Sequence, residues 1–263
     1  MMNIQEDHWL RLFGEHTPEG TAWHAKTTVY SPDKQILRAY QFVRTFTANP
    51  EKTVITHNNK YFLPDGSITE KTWELEKAVC NQSDGVIHPE SLSMRTLSLG
   101  NGPTGWICPN LATQQSFGTE LFFRHQDWRY SVVIVYNQQG KIDIIVPISE
   151  GLGSFPDTEP PPEITNFSGN WQGKKEIMTP DLKITQGGET GTLLLDPTEG
   201  KNETFLFPDG LVVNIPQQVK LGEEFEVVAG KLVSDNEYKR LTVKYNSAGE
   251  FIMLTSEVFY LEN

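Results

Sequence analysis

The sequence is short of cysteine, closely spaced histidines, long apolar runs and helical patterns, and each shortage removes a class of protein. Only Cys80 and Cys108 occur in 263 residues, neither in a Cys-x-x-Cys. Two thiols in a chain this long read as free and reduced rather than as a disulfide framework, which leads to the expectation of a cytoplasmic protein. The histidines are His8, His16, His24, His57, His88 and His125. None lies two to four residues from another, as a local metal site would require, so no metal and no cofactor is expected. No stretch approaches the ~20 apolar residues of a membrane span. Charges at Glu6, Asp7 and Arg11 interrupt the N-terminus, so no signal peptide is expected and the Asn-x-Ser/Thr triplets at Asn81, Asn166 and Asn202 carry no weight. Basic residues are also in deficit, 22 against 34 acidic, for a net charge of -12. That argues against nucleic acid, which needs a surplus of Lys and Arg on one face, and against membrane insertion. Gly-x-Ser-x-Gly, Walker and His-Glu-x-x-His motifs are all missing. Gly100 to Gly105 fits G-x-G-x-x-G literally, but Pro103 and Pro109 block the helix that a dinucleotide site needs, leaving a glycine-rich loop.

What is present is alternation. Arg38, Tyr40, Phe42, Arg44 and Phe46 share one face of a period-two segment, with Ala39, Gln41, Val43 and Thr45 on the other. Val54 to His57 and Tyr61 to Leu63 read as a hairpin turning at Asn58-Asn59. Ser131 to Tyr136 and Ile142 to Ile148 read as another, turning at Asn137 to Gly140. Later strands are expected at Glu224 to Ala229, Leu241 to Tyr245 and Glu250 to Tyr260, with a turn at Asn246 to Gly249. The one good helical pattern is Gln5 to Phe13, with Trp9, Leu12 and Phe13 on its apolar face.

The sequence also repeats itself. AWHAKTTVYSPDKQI from Ala22 matches NWQGKKEIMTPDLKI from Asn170 without a gap, aligning Trp23 with Trp171 and Pro32-Asp33 with Pro180-Asp181. Further along, Asn49-Pro50 answers Asp196-Pro197, and FLPDG ending at Gly66 answers LFPDG ending at Gly210. VYNQQGK from Val135 answers KYNSAGE from Lys244, and Ser149-Glu150 answers Ser256-Glu257. Turn-rich segments match by chance, but several collinear matches argue for duplication. Prolines at 156, 160, 161 and 162 make Gly151 to Glu163 the best linker. Domains are therefore expected at residues 1–155 and 163–263. The first copy is longer by a Gly-, Pro- and Ser-rich stretch near 74–117, expected to cover the repeated frame as a lid.

A unit of about a hundred residues built from short antiparallel strands buries one face by closing on itself. The Trp opening each copy, the Tyr-Asn-x-x-Gly hairpin and the last long strand carrying Glu resemble the lipocalin, or calycin, superfamily. The tandem arrangement resembles a family found mostly in cyanobacteria whose members are built from two lipocalin-like barrels. That resemblance covers most of the chain and implies a mainly β fold of two tandem antiparallel barrels, with the Trp9 segment capping one barrel end. The family has no established common activity. The wider superfamily includes fatty-acid-binding proteins and the bilin lyases that load phycobiliproteins.

Aromatic residues beside arginine on one strand face suggest a cavity wall. Arg38, Tyr40, Phe42, Arg44, Phe46, Trp73, Arg129 and Glu150 are the candidate ligand-binding residues, with Arg44 as anion anchor. The plainer reading of that strand, and the preferred one, is an aromatic core face whose Arg stems reach solvent at the strand ends. Glu150 and Glu257 share the parity of apolar neighbours and need partners, for which Arg129 and Arg240 are nearest. Trp23 and Trp171 read as structural packing. The leading expectation is a carrier or sensor of a small lipophilic molecule of fatty-acid, terpenoid or tetrapyrrole type, bound in the first copy, rather than an enzyme. An isomerase, cyclase or lyase using Glu150, Glu257, His57 or His125 is the first alternative. A ligand-free scaffold for an unspecified protein partner is the second.

Overall fold

The computed structural model describes residues 3–100, 102–156, 164, 167–190 and 192–262. Most of the proposed linker, residues 157–163, lies outside that set, as do Asn101 of the glycine-rich loop and Asn166. The chain forms two compact units. The first is Met1–Cys108, Gly118–Ile134 and Asp143–Asp157; the second is Pro109–Phe117, Val135–Ile142 and Thr158–Asn263.

The first sheet holds β1 (Thr21–Tyr30), β2 (Ile36–Ala48), β3 (Val54–Phe62), β4 (Ile68–Glu76), β5 (Asn81–Gln82), β6 (Gly85–His88), β7 (Ser91–Ser98), β8 (Thr104–Ile107), β9 (Phe117–His125), β10 (Trp128–Tyr136) and β11 (Ile142–Leu152). Its order is β4-β3-β2-β1-β11-β10-β9-β8-β7-β6-β5. The two edge strands are consecutive in the chain, joined only by the single helical turn α2 (Lys77–Cys80). The sheet therefore curls into one near-closed antiparallel barrel.

Helix α1 (Ile4–Phe13) sits where those edges approach. Asn3 caps its N-terminus by accepting from the Gln5 amide at 3.2 Å. Trp9 and Phe13 pack with Ala48, Ile55, Leu75, Cys80 and Val86, so one apolar cluster joins the helix to edge strand β4, to α2 and to β6 beside the other edge. The Trp9 indole N–H donates to the Lys52 carbonyl at 2.8 Å, which pays the polar cost of burying the ring completely.

The second sheet holds β12 (Asn170–Met178), β13 (Ile184–Thr190), β14 (Glu203–Phe207), β15 (Leu211–Ile215), β16 (Phe225–Ser234), β17 (Glu237–Tyr245) and β18 (Phe251–Glu262), in the order β13-β12-β18-β17-β16-β15-β14. Here the expectation of a second barrel is overturned: this sheet is open and not curled. It has seven strands against eleven. Its edge strand β13 contains Gly187-Gly188 and has no buried residue, and residues 191–202 separate it from the opposite edge β14. A strand without a buried face gives the edges no apolar reason to meet.

The fold is β-rich and duplicated. In each sheet the first strand pairs with both the second and the last, and Trp23 faces Leu152 as Trp171 faces Leu261. The Pro-Asp turns agree in detail. Lys34 and Leu182, each following Pro-Asp, have φ of 58° and 64°. Their amides donate to Ser31 and Thr179 carbonyls at 3.0 and 2.9 Å. The Asn137 and Asn246 side chains each accept from the amides two and four residues on, and Gly140 and Gly249 close these turns at φ of 72° and 80°.

Two local expectations need correction. Asn58-Asn59 is not a turn but lies inside β3, where Asn58 bonds Glu70 and Thr72 across the sheet. The segment near 74–117, expected as a lid, instead carries β5 to β8 within the sheet. Its glycines serve that role: Gly100 and Gly102, at φ of 91° and 117°, lie in the connection between β7 and β8.

Candidate functional site

The interior of the first unit holds a cavity of about 690 Å³, within the 300–1,000 Å³ usual for small-molecule sites. Alternation along β2 builds one wall. Tyr40, Phe42, Arg44 and Phe46 all line the cavity, whereas Arg38, on the same face, lies beyond it and is exposed with its guanidinium over the Tyr40 ring. Strand β3 adds His57, Asn59 and Tyr61, again at period two, and β8, β9 and β10 add Trp106, Phe122 and Arg129. The end of α1 and the following turn contribute Arg11, Phe13 and His16. Trp23, read as packing alone, is buried and also lines the cavity, with the Arg129 guanidinium 4.7 Å from its ring centre.

A compact group of charges lies against this wall. Arg129 makes two hydrogen bonds to Glu150, Nη2 to Oε1 at 3.0 Å and Nε to Oε2. Arg44 stands 3.8 Å from Glu150 and 3.8 Å from Glu120, and its Nε is buried without a hydrogen bond. Ser131 donates to Glu120 at 2.8 Å. Burial disfavours every charge here, but partners decide the outcome differently. Burial lowers the Arg44 pKa, yet Glu150 and Glu120 outweigh it and the net direction is upward. Burial raises Glu150, yet Arg129 and Arg44 carry it below the usual carboxylate range. For Glu120 burial prevails over Arg44 and Ser131, and its pKa rises. Glu150 thus holds the two arginines without itself lining the cavity. In the second unit Arg240 donates to Glu257 at 2.6 Å across the equivalent hairpin. That pair lies two residues nearer its turn, a shift that preserves the face.

The second polar corner was not legible in the sequence. His57 Nδ1 is 2.8 Å from His88 Nε2, and His57 Nε2 is 3.1 Å from Asn59 Oδ1. Phe46 stacks on His57 with ring centres 4.5 Å apart. Trp73 does not line the cavity but packs behind this pair, 4.9 Å from His57 and 5.0 Å from His88. Burial, then Arg44 and His88, lowers the His57 pKa to about 2. Burial lowers His88 to about 4, with Glu90 opposing. His125 and Glu257, two of the candidate acid–base groups, are not among the cavity-lining residues. His88, Asn59, Tyr61, Trp106, Glu120 and Phe122 were missed. Period two on β3 would have grouped His57, Asn59 and Tyr61 had Asn58-Asn59 not been read as a turn.

In the second unit Trp171, Tyr238 and Phe259 pack with Leu193 and Val212, and Phe167 closes on Trp171 and Tyr238. Leu195, Leu206, Leu232 and Leu261 pack against the same cluster, so aromatic and aliphatic side chains share that core. Among the described residues no group of three or more His, Cys, Asp or Glu is placed to hold a metal ion, and no helix is long and apolar enough to cross a membrane.

No curated protein matches the chain. A crystal structure of a DUF3598-family protein of unknown function from Nostoc punctiforme is similar over 100% of both chains, at 17% identity and a TM-score of 0.76, which shows a shared fold. The S-type phycobiliprotein lyase CPES from Guillardia theta aligns with 58% of this chain and 94% of its own at 12% identity, with a TM-score of only 0.31. Residues 188–258 match the family model described as "Biogenesis factor required for ATP synthase 1, C-terminal domain". Residues 5–155, more than half of the chain, match "Domain of unknown function (DUF3598), N-terminal", and the chain belongs to that family.

Proposed function

We propose that the first unit binds a small lipophilic molecule in its cavity. The observation that carries this reading is the cavity itself: about 690 Å³ inside a near-closed barrel, walled by Trp23, Tyr40, Phe42, Phe46, Trp106 and Phe122. A cavity of this size walled by rings is the arrangement that takes an apolar ligand. Residues Tyr40, Phe42, Arg44, Phe46 and Arg129 would contact it, and Trp73 and Glu150 would hold those that do. Native mass spectrometry of the purified protein tests this. A co-purified small molecule, or saturable uptake of a lipophilic fluorophore, supports it; the absence of both would refute it.

A second reading belongs to the second unit alone and rests on the match of residues 188–258 to the biogenesis-factor model. That unit has a packed core of aromatic and aliphatic side chains and open sheet edges, which suits a scaffold for a protein partner. Affinity capture with the exposed Leu194 and Tyr260 of that unit substituted tests it: loss of a partner held by the wild type supports it, and no partner on the wild type refutes it.

A further inference from the structure

The histidine corner of the cavity is a chain of hydrogen bonds whose direction is set from one end. The backbone N–H of Glu90 donates to His88 Nδ1 at 3.1 Å. A backbone N–H can only donate, so Nδ1 carries the lone pair and the proton of the neutral ring sits on Nε2. That nitrogen, 2.8 Å from His57 Nδ1, donates to it. His57 therefore keeps its own proton on Nε2 and donates to Asn59 Oδ1 at 3.1 Å. The Asn59 amide then donates to the Tyr61 hydroxyl oxygen at 3.0 Å. Reversing the chain would make His88 accept at both nitrogens, which leaves a neutral ring no place for its proton. Burial keeps both rings neutral at physiological pH, lowering His57 to about 2 and His88 to about 4.

The consequence falls on Tyr61. Its oxygen is an acceptor toward Asn59, so its one proton is left to donate elsewhere, and no described residue takes it. Tyr61 lines the cavity. The amide of Asn59 interrupts proton transfer along the chain, so His88, His57 and Asn59 act as positioning residues that hold the phenol with its O–H unspent. The charges beside it argue about the ligand as well. Arg129 is paired twice to Glu150, and Arg44 stands between Glu150 and Glu120. Glu150 and Glu120 already balance those two arginines, so the group offers an incoming carboxylate no net positive charge. A neutral acceptor needs none.

The geometry points to a neutral ligand, ring-bearing and apolar over most of its surface, with a carbonyl-type oxygen that accepts a hydrogen bond from the Tyr61 hydroxyl. This inference rests on the reading that the cavity holds a small molecule.

Two fluorescent probes test it: prodan, a neutral naphthyl ketone, and dimethylaminonaphthalene, the same ring system without the ketone. Prodan emission moves to longer wavelength when its carbonyl accepts a hydrogen bond. Wild-type protein is expected to bind prodan about three- to tenfold more tightly than the analogue, the range a neutral hydrogen bond supplies, with red-shifted emission. Tyr61→Phe, checked for folding by circular dichroism, should remove both the preference and the red shift while leaving analogue binding unchanged. The comparison of the two probes on wild-type protein needs no variant. Equal binding of both probes by wild type and Tyr61→Phe would overturn the assignment to Tyr61 and leave the cavity reading standing. Tighter binding of the corresponding naphthoate than of prodan would overturn the neutral class. Failure of every probe to bind wild type would sink the cavity reading itself.

Discussion

The guanidinium of Arg44 lies 3.8 Å from the carboxylate of Glu150, with that carboxylate fully buried and bonded twice to Arg129. Glu120 stands at the same distance, 3.8 Å, from Arg44 Nη2. Two acids and two bases thus compensate one another largely out of contact with bulk water. Removing one partner strands a buried charge. Arg44→Met is expected to cost about 3–5 kcal/mol, whereas Arg38→Met, at an exposed position, should change stability by no more than about 0.5 kcal/mol. Urea unfolding of both variants checks this. Equal losses would mean that Arg44 is not held as described.

Acid should destabilise the protein earlier than its carboxylates alone would dictate. Burial leads the causes that lower His8, His16 and His88 to about 4 and His57 to about 2, all from 6.5. The unfolded chain therefore takes up these protons first as pH falls through 6.5, and the stability conferred by the neutral rings is lost from there down to their folded values. Each ring contributes a slope approaching about 1.4 kcal/mol per pH unit. Glu120, raised by burial, opposes the trend as one group against four. Urea midpoints should hold level above about pH 7.5 and fall steeply toward about pH 5. A level profile across that range would contradict the burial of these rings.

Filling the cavity should separate binding from folding. Val133 lines it and is only half-buried. Val133→Trp is expected to abolish uptake of a lipophilic fluorophore at a stability cost of about 1–3 kcal/mol, the usual range for overpacking. Undiminished fluorophore binding by the folded variant would place the bound probe elsewhere.

Two glycines at positive φ should respond differently to alanine. Gly66, at φ 82°, has open space where a Cβ would go. Gly102, at φ 117°, would bring a Cβ to 2.4 Å from that of Arg124. Gly66→Ala should cost about 1–2 kcal/mol from backbone strain alone, and Gly102→Ala measurably more, because the Arg124 strand must also give way. Thermal unfolding of the pair decides this, and equal shifts would remove the packing claim.

Features that depend on near neighbours were legible in the sequence. The helix at Gln5 to Phe13, the inward face from Tyr40 to Phe46 and the turns at Pro32-Asp33, Asn137 to Gly140 and Asn246 to Gly249 follow from side-chain period and turn chemistry. The Arg129–Glu150 and Arg240–Glu257 pairs were legible too, since a short hairpin places its two strands in register. Tertiary structure alone decided which strands meet at a distance. Whether a sheet closes depends on its edges finding a shared apolar filling: α1 supplies one at the edges of the first sheet, and the exposed, glycine-containing β13 supplies none in the second. The same holds for the polar corner. His57 and His88 are 31 residues apart, and no local pattern brings them together; they meet because the stretch that reads as a loop pairs into strands and carries His88 to the wall that β3 already lines.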